Sequence, residues 1–71
     1  MKDAITNAIS KEIEFDDLSV EGSESKYTVS IISNVFEGLR PVARQQRVYA
    51  PLGEFIRSGA LHAVNINTKT P

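Results

Sequence analysis

Apolar positions recur along this chain with two different spacings, and the change from one to the other marks its elements. In residues 2–14, Ile5, Ala8, Ile9 and Ile13 fall on one face of a helix, with Lys2, Asn7, Lys11 and Glu14 elsewhere. Residues 15–20, FDDLSV, read as a short strand with Leu18 and Val20 on one side. Glycine and serines make EGSES, residues 21–25, a turn. The spacing then drops to two: Tyr27, Val29 and Ile31 alternate with Thr28 and Ser30, which predicts a strand over 26–33 with one buried face. A short turn between the two strands predicts an antiparallel hairpin.

Gly38 and Pro41 punctuate NVFEGLRP, residues 34–41, leaving room for a single helical turn around Phe36. From Pro41 to about Ser58 the helical period returns, with Val48, Leu52, Phe55 and Ile56 as its apolar stripe. Pro41 suits a first helical position. Pro51 lacks the amide a helix needs and crowds the Arg47 carbonyl, so a kink or restart is predicted there. Ser58-Gly59 is a stop signal, and Leu61 to about Thr68 reads as the last strand. A helix joining two strands implies a right-handed crossover, which makes strand 61–68 parallel to strand 26–33. The predicted architecture is α+β: a three-stranded mixed sheet with helices on one face, in a single domain over residues 1–71. Thr70-Pro71 looks like a cap and first-turn proline, so a further helix is expected to begin there.

Composition narrows the function. With no cysteine, this chain forms no disulfide and no cysteine-bound metal site of its own. One histidine is too few for an all-protein zinc site unless several carboxylates join it. No apolar run approaches the ~20 residues of a membrane span, and a soluble cytoplasmic protein is the expectation. The serines lack the glycine pattern of a nucleophile elbow, and the neighbours Asp16 and Asp17 face opposite ways in a strand. These features argue against an enzyme. The formal net charge of −1 conceals an asymmetry: residues 1–26 carry three lysines and seven acids, and residues 27–71 five basic residues and two acids.

Two features are candidates for chemistry. The first is His62. Alternation in the last strand puts His62, Val64, Ile66 and Thr68 on one face and Leu61, Ala63, Asn65 and Asn67 on the other, the wetter one. His62 is then predicted at the rim of the helix-covered side, as a packing residue or as a ligand. The second is LRPVARQQRVYAP, residues 39–51, where Arg40, Arg44 and Arg47 share a helix face. That face suits phosphates, a partner's carboxylates or plain solvation.

Several separated stretches, in order, carry a resemblance: GSES before the second strand, FEG after it, RQQ-x-VY-x-PL in the second helix and HAV-x-I in the last strand. Together they resemble the BolA family, most closely its acid-stress-associated IbaG-like branch, over about residues 4–71. The resemblance implies an α-β-β-α-β-α domain related to the type II KH fold. Family members typically continue past Thr70-Pro71 into the last helix, so this chain is expected to stop short of it. It also implies a monothiol glutaredoxin as partner, with a [2Fe–2S] cluster shared between the two in iron–sulfur trafficking and iron sensing. The histidine at the start of the last strand, His62 here, would be this side's ligand; imidazole ligation lowers the cluster's negative charge.

One departure from the family pattern stands out. Many members place a second histidine or cysteine between the first two strands, where this chain reads EGSESKYT, with Lys26 at a position that several relatives fill with histidine. A labile cluster or a cluster-free complex follows. The alternative function is transcriptional regulation through DNA, with Arg40, Arg44, Arg47 and Lys69 as phosphate contacts. EGLRP lacks the second glycine of a KH backbone clamp. No oligomer is implied, and the chain alone is expected to be a monomer.

Overall fold

In the computed structural model, which describes residues 1–71, helix α1 (Lys2–Glu12) is followed by strand β1 (Asp17–Ser23) and strand β2 (Lys26–Ile32). A 3-10 turn (Asn34–Phe36), helix α2 (Pro41–Arg57) and strand β3 (Ala63–Lys69) complete the chain. The sheet order is β1-β2-β3, with β1–β2 antiparallel and β2–β3 parallel. The mixed sheet, the crossover through α2 and the two-layer plan are those expected from the pattern.

One face of the sheet is covered and the other is bare. Val20, Val29, Ile31 and Ile66 point under the helices and join Ile5, Ile9 and Ile13 of the α1 region, Val48 and Leu52 of α2, and Phe36 and Leu61 in one core. The bare face is polar: Ser19, Ser30 and Asn67 form one row across the three strands, and Glu21, Thr28 and Asn65 the next. Phe36 is fully buried because the 3-10 turn drives it inward. Ser33 caps that turn, accepting from the Val35 amide at 3.2 Å and donating its hydroxyl to the Glu14 carbonyl. The buried Ser33 thus ties the end of β2 to the segment that leads into β1.

Local boundaries differ from the sequence pattern in four places. The first strand continues to Ser23, and the turn shrinks to Glu24 and Ser25, both at positive φ (52° and 71°). Two successive left-handed residues match the twist of a tight hairpin, which absorbs much of the stretch that composition alone marks as loop. Helix α2 runs through Pro51 as one element, with no restart. Val48 and Leu52, both fully buried on either side of the proline, hold the two halves to one core. Ile56, assigned to the apolar stripe, is 40% exposed, because the core side of α2 is set by Val48 and Leu52 and leaves Ile56 at its margin. Strand β3 begins at Ala63, so the alternation predicted for its first residues fails. Leu61, placed on the wetter face, is 2% exposed. It lies in the connection after α2, where its amide bonds the Phe55 carbonyl at 3.0 Å and strand parity does not apply.

Candidate functional site

His62 is positioned by backbone bonds on both sides. Leu61 is anchored to the C-terminal turn of α2 and buried. The His62 amide donates to the Ser25 carbonyl at 2.9 Å, and the Ala63 amide donates to the same oxygen at 3.2 Å. The hairpin tip between β1 and β2 therefore holds the start of β3. Its left-handed residues matter here, because the tight turn brings the Ser25 carbonyl within reach.

The imidazole itself is exposed and takes part in no hydrogen bond within the chain. Its Nε2 lies over Gly59, 3.9 Å from where a Cβ on that glycine would stand. A Cβ at position 59 would meet this nitrogen at ordinary van der Waals distance, so it is the positive φ of 83° that favours glycine there. Tyr49, Ile56 and Val64 flank the ring in a shallow hollow of about 270 Å³. An accessible nitrogen donor beside exposed apolar groups suits a ligand offered to a partner-held centre. No three histidine, cysteine, aspartate or glutamate side chains gather into a metal site anywhere in the chain. The donor set is one imidazole, which fits a shared cluster whose other ligands come from elsewhere.

The remaining predicted residues lie apart from it. Lys26 pairs with Ala63 in the β2–β3 register and belongs to the row on the bare face, while His62 sits on the Tyr49 side. Arg40 is the N-cap of α2 and is exposed, as is Arg47. Arg44 is half-buried, and its Nε donates to the Leu39 carbonyl at 2.9 Å, which gives it a part in closing the loop before α2. Gln45 and Tyr49 turn one flank of α2 to β3. Ala50, Pro51 and Glu54 line the opposite groove, against α1. Helical spacing puts Arg47 with that second group, on a different flank of α2 from His62. Lys69 ends β3 at the far end from His62, roughly 20 Å along the strand. Two contributors to the site, Tyr49 and the Ser25 carbonyl, have no obvious mark in the sequence. The i, i+7 spacing of Tyr49 and Ile56 is the one trace of the first.

This geometry accompanies a clear family match. Residues 4–71 match the family model described as BolA-like protein. The chain is 50% identical over 54 residues to an uncharacterized protein from the rpoN-murA intergenic region of Acinetobacter guillouiae, covering 76% of this chain and 65% of that relative. It is 33% identical over 67 residues to the acid stress protein IbaG of Escherichia coli K12, covering 94% of this chain and 80% of that one. Among solved structures, BolA1 from Arabidopsis thaliana superposes with a TM-score of 0.88 at 34% identity, over 99% of this chain and 90% of that chain. The chain belongs to the BolA-like protein family, which is not a known enzyme family. No helix is long and apolar enough to cross a membrane.

Proposed function

We propose that this protein is a non-enzymatic cytoplasmic adaptor that docks a monothiol glutaredoxin and lends His62 to a [2Fe–2S] cluster held between them. The observation that carries this reading is the His62 ring, exposed and unbonded, on a backbone whose amide is held by the Ser25 carbonyl. Tyr49, Ile56 and Val64 supply the apolar shoulder on which a partner would seat. The partner brings the thiolates that this cysteine-free chain lacks.

The test is anaerobic co-purification with a monothiol glutaredoxin, read for iron content and visible absorption. Wild-type protein is expected to yield a complex whose spectrum differs from that of the glutaredoxin's own cluster, and His62→Ala to abolish that difference. An identical spectrum with His62→Ala refutes the ligand assignment. Nucleic-acid binding has less support. Arg44 spends its Nε on the Leu39 carbonyl, which leaves Arg40, Arg47 and Lys69 as the freer cations, and so few phosphate contacts support only weak, salt-dependent binding.

A further inference from the structure

The outer edge of β3 has no neighbouring strand. The Lys69 carbonyl accepts from Ser33, so it points toward β2. Alternation then points the backbone groups of Val64, Ile66 and Thr68 outward. An open edge of this kind is a template for another chain, and proteins ordinarily blunt it with charge, proline or a bulge. Between Val64 and Thr68 this strand has none of these: it reads VNINT, with its first charge at Lys69.

Two side chains of α2 occupy the outward carbonyls. Gln45 Nε2 donates to the Ile66 carbonyl at 2.8 Å, and the Tyr49 hydroxyl donates to the Val64 carbonyl at 3.4 Å. Residues four apart on a helix meet acceptors two apart on a strand because about 6 Å of rise separates each pair. This geometry gives the glutamine and tyrosine of RQQRVY a purpose distinct from the arginines beside them.

We propose that the β3 edge is a latent strand-pairing surface for a second copy of this chain, which Gln45 and Tyr49 hold closed. A two-fold centred on Ile66 pairs Ile66 with its copy and Val64 with Thr68, so every outward backbone group of these three residues finds a partner. In that register Asn65 faces Asn67, and Lys69 faces Ala63, so no like charges meet. Self-pairing of β1 is disfavoured by comparison, since that strand carries Asp17 and Glu21 and is flanked by Asp16 and Glu24. The Ile66 carbonyl is the centre of the β3 pairing, and it is the group that Gln45 covers.

The experiment compares the 71-residue chain with Gln45→Met/Tyr49→Phe, which keeps side-chain size and removes both donors. Sedimentation over a range of concentrations is expected to show a monomer for the unaltered chain. The double variant is expected to dimerise at least about tenfold more tightly. Adding Asn65→Lys and Asn67→Lys places lysines opposite one another and is expected to return the variant to monomer. A folded double variant that stays monomeric overturns the proposal, as does a dimer indifferent to the added lysines. Amide exchange on the unaltered chain tests the edge independently of any variant. Val64, Ile66 and Thr68 are expected to exchange faster than Asn65 and Asn67, and equal protection overturns the outward assignment.

Discussion

Gly22 offers a direct test of how the hairpin supports the site. It lies within β1 at φ +137°, opposite Tyr27. A Cβ there would overlap the Lys26 carbonyl oxygen and stand 2.8 Å from Tyr27 Cα. Both obstacles are backbone, so no side-chain rotation relieves them. Gly22→Ala therefore combines backbone strain of about 1–3 kcal/mol with displacement of β2 against β1. Disturbing one or two hairpin hydrogen bonds adds about 1 kcal/mol each, for a total of roughly 3 kcal/mol. A 71-residue domain has roughly 4–10 kcal/mol of stability, so the loss is large. It corresponds to a fall in Tm of about 15 °C.

Gly38 is the control. It also has positive φ (78°), but a Cβ there meets nothing within 4 Å. Gly38→Ala is expected to cost only the left-handed conformation, about 1 kcal/mol. Thermal and urea unfolding followed by circular dichroism gives both numbers. Amide spectra of the Gly22 variant should also show the His62 and Ala63 resonances shifted, because their shared acceptor Ser25 sits at the displaced tip. Equal destabilisation by the two substitutions would refute the argument, since only the close approach at Gly22 separates them.

Other substitutions probe separate parts of the frame. Ser33→Ala removes a buried hydroxyl that serves both Glu14 and Val35, and urea denaturation should show a loss of about 1–3 kcal/mol. Phe36→Ala empties the centre of the core and should cost about 3–5 kcal/mol by the same assay, enough to leave much of the chain unfolded at 37 °C. His62→Ala touches no hydrogen bond of the ring and should leave stability within about 0.5 kcal/mol, so that loss of the shared-cluster spectrum would report ligation and not unfolding. Arg44→Ala should destabilise more than Arg47→Ala in parallel melts, by about 1 kcal/mol, because only Arg44 secures the Leu39 carbonyl.

The periods of the chain determined its elements. Alternation at Tyr27, Val29 and Ile31 marked the central strand, and the stripes through Ile5 and Ile9 and through Val48 and Leu52 marked the two helices. Element order and the handedness of crossovers then left one sheet arrangement, with β3 parallel to β2. Periodicity reports which face of a local element is dry. It says less about loops, where Leu61 is buried although strand parity assigns it to the wetter face. Nor does it set the rotation of a helix over a sheet.

That rotation, decided by packing Val48 and Leu52 into the core, puts Gln45 and Tyr49 on the β3 edge and Ala50, Pro51 and Glu54 on the other flank. The hairpin's path likewise decides that Ser25, far from His62 in sequence, holds its amide. A residue's chemistry was legible in the chain, but its neighbours depended on where separate elements came to rest, because contacts between elements are set by the whole core at once.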